Sequence, residues 1–585
     1  MGENNENIIL ASEEWNIEKV RLLLSKPNIN AKDKEGNTPL IWAIEKGHTE
    51  IVKQLLLRPG IEINTKYKGG NTPLIYAIKN KHTEIVRLLL SQPGIKINAE
   101  ELILAVRNGH TEIVKQLLSQ PDIDVNAKDC LRNTLLIYAV LKGHTEIVKQ
   151  LLSQPDIDVN AKNNGGYNPL IIAAENGHTE IVQLLLSQPD IEINVRNKEG
   201  NSPLILAVKK GHKEIFQLLL SQPDIKINVR DIGGNTPLIL AVKERRAEIV
   251  KQLLSRPGIE INARDYDGNS PLIFAAENGH TEIVQLLLSQ PGIEINARDK
   301  DGDTPLILAA ESGHTEIVKQ LLSQPDIDVN AKFKDRCTTP LIWAIKEGHT
   351  EIVQQLLSQP GIEINVRDKD GDTPLILAVK KGHTEIVQLL LSQLGIEINA
   401  RDKEENSPVI LAVKKGYTEI VKQLLLKSKM QINVGDNYGN TSLILAAESG
   451  HKEIVELLLS QQKIQINIGN SYGNSPLICA ATNGHKEIVQ LLLSQPGIDV
   501  NAKNIGGHTS LILAAAKKHK EIVQLLLLQP GIKIEEKYSQ EIKNLIGEEK
   551  YNEYKIWKEN NQTNNLVGAI NNFNFESTDK SPFLS

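Results

Sequence analysis

The string Gly-His-Thr-Glu-Ile-Val begins at Gly47, Gly109, Gly143, Gly177, Gly279, Gly313, Gly348 and Gly382, and it constrains the fold more than any other feature. Close variants start at Gly211, Gly450 and Gly484. The step from His144 to His178 to His212 is 34 residues each time; it falls to 28 between His82 and His110 and rises to 35 between His314 and His349. With a degenerate first copy, in which Ile17 stands for Ile51, sixteen copies run to about residue 537. A chain that repeats itself at this period builds small units, each unable to bury its own apolar face alone. Stacking them makes one continuous core, so the 585 residues predict a solenoid rather than three or four globules.

Each copy has three parts. Thr38 to Gly47 (TPLIWAIEKG) opens with a Thr able to cap a helix and a Pro suited to its first position. Leu40, Ile41, Ala43 and Ile44 supply the apolar face, and Gly47 can end the helix at positive φ. His48 to Leu57 (HTEIVKQLLL) is a second helix with Ile51, Val52, Leu55 and Leu56 on one stripe. Arg58 to Asn71 then breaks at Pro-Gly, alternates Ile61 and Ile63, and turns on glycines, which predicts a hairpin-like tip. With helices packed 8–10 Å apart, the stack should extend on the order of 130–160 Å.

The pattern resembles ankyrin repeats over about nine-tenths of the chain. The turn DxxG, then TPL, the A(A)xxGH junction, EIVxxLL and the INA that leads into the next turn carry the resemblance. It implies an all-α solenoid of stacked helix-turn-helix units with β-hairpin-like turns, wound into a curved superhelix. Two departures stand out. Where the family has His after Thr-Pro-Leu, all fourteen full copies have Ile (Ile41, Ile75, Ile239 and so on), which cannot make the inter-repeat hydrogen bonds of that His. The usual Gly-Ala after the second helix is replaced by SQPGI or SQPDI, one residue longer. The expected organisation is an array over residues 1–537, capped by its first and last copies and shortened near 98–125. Residues 538–585 follow as a helical cap and an Asn-rich tail.

Chemistry finds no foothold. Thirteen of the fourteen histidines occupy the one position before the second helix. A whole repeat, roughly 8–10 Å, separates them, whereas two ligands of one zinc each lie about 2 Å from it. They are expected to bridge the helix-helix turn. The repeated segment DKDGDTPLI, at Asp299 to Ile307 and Asp368 to Ile376, suggests a calcium loop. Yet the places for the EF-hand glycine and glutamate hold Thr304 and Ala310. Asp and Gly recur in DKEGN at Asp33, DYDGN at Asp265 and DNYGN at Asp436 while the middle residues drift, as a turn requires. Gly-Lys is absent, which excludes a P-loop, and no Gly-x-Ser-x-Gly elbow occurs. No catalytic, cofactor or metal residues are assigned, and an enzyme is not expected. A net charge of -6, from 66 basic and 72 acidic residues, lacks the surplus of a nucleic-acid binder. Three scattered cysteines (Cys130, Cys337, Cys479) favour a reducing compartment, and neither a secretory leader nor a membrane span is read. The expectation is a cytoplasmic monomer without membrane insertion.

Function must then reside in the positions that vary between copies. These are the two residues before each Gly-His junction and the tips, which in ankyrin-like proteins face partner proteins. The candidate contacts are Lys209, Lys210, Lys380, Lys381, Lys414 and Lys415 at helix ends. At the tips they are Tyr67, Tyr266, Asp267, Lys300, Asp301, Asp303, Tyr438 and Tyr472, with Phe333 beside them. The expected function is a non-enzymatic interaction scaffold whose partners are other proteins; the alternatives are a regulatory subunit of a separate enzyme and a host-directed effector. Three irregular copies mark possible joints: the shortened one at Ile97 to Val106, Arg245-Arg246 in place of Gly-His, and a lengthened tip around Cys337. In the tail, Ile542, Leu545 and Ile546 make one apolar group and Tyr551, Tyr554 and Trp557 a second, a pattern fit to cap the last repeat.

Overall fold

The computed structural model describes residues 29–332 and 337–561, with the side chains of Lys68 and of residues 557–561 excepted. The first degenerate copy, Phe333 in the lengthened tip, the Trp557 side chain and the Asn-rich tail therefore lie outside the description. The described elements are helices, without strands; one isolated bridge, Lys128 to Thr134, is the trace of hairpin pairing. Two compact units are distinguished, Met1–Ala275 with Glu282–Glu294, and Ala276–Thr281 with Ile295–Ser585.

In the first unit one copy shows how local chemistry sets the elements. Ser202 is extended and its hydroxyl accepts from Ile205 N–H, while Pro203 occupies the first position of the helix Pro203–Lys210. Gly211, at φ 75°, ends that helix, and Lys213–Leu220 follows at once. Leu204, Ile205, Ala207, Val208, Ile215, Phe216 and Leu219 are fully buried. First helices pack on first helices of the next copy and second on second, as Pro169–Asn176 does on Pro203–Lys210 and Thr179–Leu186 on Lys213–Leu220. The Ile that replaces the family's His is thus core: Ile41, Ile205 and Ile239 have no exposed surface.

What ties copy to copy instead is a ladder of asparagines from the INA segment. Asn228 donates from its amide to Gly258 O (2.8 Å) and accepts from Glu260 N–H (3.1 Å). Asn160, Asn194 and Asn262 make the same two bonds in this unit, and Asn365, Asn399, Asn433 and Asn467 make them in the second. The segment that follows each second helix presents both groups, two residues apart: in SRPGIE, Gly258 gives the carbonyl and Glu260 the N–H.

The histidines act differently from expectation. All but His508 sit at the start of a second helix. Yet the rings of His144, His212, His314, His349, His485 and His519 reach a carbonyl of the preceding copy rather than the turn within their own. His212 Nε2 lies 3.1 Å from Glu175 O, and in the second unit His485 Nε2 lies 2.9 Å from Glu448 O. The ring fits because the preceding copy ends its first helix in glycine: a Cβ on Gly177 would stand 2.7 Å from the His212 ring. Glycine is required there twice over, for positive φ and for space. Arg246 and Tyr417 take the ring's place against Gly211 and Gly382.

The shortened copy has no tip. Asn98 caps the helix Ala99–Arg107 instead of gripping the next copy, and Glu101 turns back into the protein. That carboxylate is fully buried, accepting from Asn98 N–H (3.0 Å) and from the Thr72 hydroxyl (3.1 Å). At the other end, Glu536–Ile546 packs on the last two helices of the array, burying Ile542 and Ile546, and Tyr551 and Tyr554 are buried behind it.

Candidate interaction surface

The tips are built on one carboxylate. Asp402 Oδ1 accepts from Glu404 N–H (3.0 Å) and Asn406 N–H (2.8 Å), while its own N–H donates to Asn406 O (3.1 Å). Asp299 makes the same turn, its Oδ1 accepting from Asp303 N–H at 2.8 Å. The oxygen that a calcium loop would offer to a cation is therefore engaged by backbone. Asp303, a candidate contact in the sequence, is half-buried and closes that turn through its own N–H and carbonyl. Among the described residues, no group of three or more His, Cys, Asp or Glu is placed to hold a metal ion.

Consecutive tips are joined backbone to backbone. In the first unit Ile232 N–H donates to Glu199 O (3.2 Å) and Tyr266 N–H to Gly233 O (3.1 Å). In the second, Ser471 N–H donates to Tyr438 O and Ile505 N–H to Tyr472 O, both 2.9 Å. Side chains on neighbouring tips thus keep a fixed register.

The candidate residues divide sharply. Lys209 reaches Asp231 at 3.2 Å and the Asn201 amide oxygen at 3.2 Å. Lys380 lies between Asp372 (2.8 Å) and Asp402 (3.2 Å), and Lys414 between Asn406 (2.7 Å) and Asp436 (3.0 Å). Each links a helix end to the buried turn carboxylate of the next copy; Lys243–Asp265 and Lys346–Asp368 do the same. The partners lie 22 residues apart, and the sequence carries a matching rule. A turn Asp follows Lys209, Lys243, Lys346, Lys380 and Lys414, whereas Asn197, Asn470 and Asn504 follow Glu175, Glu448 and Thr482. Glu277 with Asp299 departs from it. This rule was the available signal, and comparing only aligned columns overlooks it.

The electrostatics fit these roles. Burial raises the Asp402 carboxyl, but bonds from the Asn406 N–H and amide and from Lys380 outweigh it, and the group titrates below its ordinary value. Asp231 and Asp436 are likewise held low, against burial, by Asn235 with Lys209 and by Lys414 with Asn440. Asp372 is pushed up, first by burial and further by the neighbouring Asp368 and Asp402. Burial works against the charge on Lys380, yet its two carboxylates raise it.

Tyr67, expected at an exposed tip, is 8% exposed: it occupies the place of the turn Asp, and its hydroxyl approaches Thr38 Oγ1 at 3.4 Å. What stands in solvent is the second lysine of each pair (Lys210, Lys381, Lys415), with Lys300, Asp301 and Asp267. Tyr266, Tyr438 and Tyr472 are 63%, 61% and 53% exposed. Leu131, Ile232 and Ile505 extend this apolar tip surface. Their signal, an aliphatic residue inside a polar turn, was legible but unused. Cys479 is buried, which pushes its thiol up to about 12; Cys130 and Cys337 are exposed.

A family model described as ankyrin repeats (3 copies) matches residues 8–101, 102–197, 189–265, 258–333, 328–402, 394–470 and 462–538. Among solved structures, EF0377, an ankyrin repeat protein, is 30% identical over 35% of this chain and 100% of its own, at a TM-score of 0.32. No curated protein matches. No described helix is long and apolar enough to cross a membrane. Ankyrin repeats generally serve as protein–protein interaction modules, and this chain, matched from residue 8 to residue 538, belongs to the ankyrin repeat family.

Proposed function

We propose that the chain is a non-enzymatic scaffold that recognises other proteins through its tips and through the exposed helix-end residues beside them. The carrying observation is the backbone bonding of tip to tip, as from Ile505 N–H to Tyr472 O at 2.9 Å, which holds exposed side chains in fixed rows. A surface already ordered gives up little conformational entropy on binding. Several copies can engage one partner at once, which multiplies modest contacts. Lys381, Lys415, Tyr266, Tyr438 and Tyr472 are the residues through which it acts. Lys209, Lys380 and Lys414 position the tips.

Affinity capture on the full chain, read by mass spectrometry, tests the reading. Specific proteins should be recovered and then lost when the exposed residues are replaced by serine in groups. Recovery of nothing specific, or of the same set by every variant, would overturn it.

A further inference from the structure

Three consecutive tips of the second unit differ from those before them. Residues 434–440 (VGDNYGN), 468–474 (IGNSYGN) and 504–508 (NIGGH) contain a single carboxylate, Asp436, and no Lys or Arg. Asp436 is buried and paired with Lys414. The basic side chain that stands before the turn in other copies is absent from the first two. Gly435 and Gly469 replace it, and the turn closes so tightly that a Cβ on Gly435 would lie 2.5 Å from the Gly439 carbonyl carbon. Lys503, before the third, is engaged by Glu535 at 2.8 Å. What remains in solvent is Tyr438, Tyr472 and Ile505, the last 77% exposed, with Val434 and the uncharged Asn437 and Ser471 alongside. The backbone bonds Ser471 N–H to Tyr438 O and Ile505 N–H to Tyr472 O fix their register.

Building on the scaffold reading, we propose that these three tips form a docking face for an uncharged, proline-containing partner segment in the polyproline II conformation. Charge argues for it first. Asp436 is buried against Lys414, and Lys503, exposed at the edge of the third tip, is neutralised by Glu535. The face therefore gives a charged segment little in exchange for its lost hydration. Spacing argues next. Stacked copies repeat every 8–10 Å or so. A polyproline II segment returns to the same face every third residue, after roughly 9 Å. A β-strand turns its third residue to the opposite face, so it cannot place one apolar group on each tip. Composition argues last, because tyrosines held in a row offer flat apolar ring faces on which the proline rings of such a segment pack.

Selection of a random peptide display library on the full chain tests the proposal. It should enrich uncharged peptides with proline and with apolar residues three apart. Their synthetic versions should bind at least roughly tenfold more weakly to a chain carrying Tyr438→Ser and Tyr472→Ser, and nearly normally to one carrying Tyr438→Phe and Tyr472→Phe. The phenylalanine pair controls for folding. Enrichment of charged peptides, or of peptides lost with Lys381→Ser and Lys415→Ser but indifferent to the tyrosines, would overturn this face while leaving the scaffold reading intact. Competition by a synthetic peptide of residues 562–575 at the same tips would assign the face to the chain's own end, and also overturn it. Failure to enrich anything would overturn both.

Discussion

Within the second unit the same joint is closed by two chemistries. Around Asp372, Lys380, Asp402, Lys414 and Asp436, lysine reaches from one copy into the buried turn of the next. One and two copies later the joint is neutral: the Asn470 amide donates to Asn440 Oδ1 at 2.8 Å, and the Asn504 amide to Asn474 Oδ1 at 3.1 Å. The charged tips, DKDGD at 368–372 and DKEEN at 402–406, look like contact surfaces in the sequence, yet part of their charge holds the fold. The tips at Asn470 and Asn504 settle their joints with amides and leave Tyr472 and Ile505 in solvent, and the Asp436 tip, joined by Lys414, leaves Tyr438 there. Charge on a repeat surface is thus a poor guide to recognition until its internal partners are known.

The largest expected effect lies on the charged side. Asp402→Ala removes the acceptor of two turn N–H groups and one of the two carboxylates of Lys380. It should destabilise the second unit by about 2–3 kcal/mol, read from its urea unfolding. Asp402→Asn keeps the turn acceptor and should lose about half as much. On the neutral side, Asn470→Ala removes the acceptor of two turn N–H groups and one amide bond but no ion pair, and should cost about 1–2 kcal/mol. Equal losses for Asp402→Ala and Asn470→Ala would break the distinction.

Acid should separate the two kinds of joint without mutation. Asp402 and Asp436 titrate below the ordinary carboxylate value in the folded chain. A depressed carboxylate stabilises above its unfolded pKa of about 3.9, and the contribution disappears as pH falls through the folded value. Stability should therefore fall below about pH 4 at the charged joints. Asp372 has the opposite sign: its raised pKa means that protonation is easier in the folded chain, so it opposes part of that loss. In Asp402→Asn the acid slope should be shallower. Hydrogen exchange resolved by segment should show residues 398–440 loosening before 466–508; simultaneous loss would contradict the assignment.

A copy with no tip extends the comparison to the first unit. Asn98 is spent as a helix cap, so the asparagine ladder stops after Asn64, which grips Gly94 O and Lys96 N–H, and the row of tips is interrupted at residues 95–110. Exchange there should run roughly tenfold faster than in neighbouring copies. The buried Glu101, bonded to Asn98 and Thr72, works against this opening, and uniform protection would mean that it fully replaces the missing tip.

The architecture was legible because most copies restate one pattern of 34 residues, so caps, breaks and buried stripes confirm one another across the chain. The aligned columns hid the joints between copies. His212 reads as a turn residue until its distance to Glu175 O is known. Lys380 reads as a contact until Asp402, 22 residues on, is seen beside it. Tyr67 reads as exposed because turn residues usually are, yet its ring replaces a buried aspartate. Such errors share a cause: pairing between copies depends on residues in different columns, and no single column records it.

The smallest expected effect is also the most discriminating. Tyr438→Ser with Tyr472→Ser removes two large side chains, and from a core such a change would cost several kcal/mol. Here both rings stand in solvent, Tyr438 N–H remains bonded to Asp436 Oδ1 (3.0 Å) and Tyr472 N–H to Asn470 Oδ1 (3.0 Å). Neither bond involves the ring. Unfolding should therefore shift by less than about 0.5 kcal/mol per substitution. If stability falls as far as in Asp402→Ala, the tyrosines serve the fold like the lysines do, and the contrast between the two halves of this unit disappears. If it holds while partner capture is lost, the neutral tips serve recognition alone.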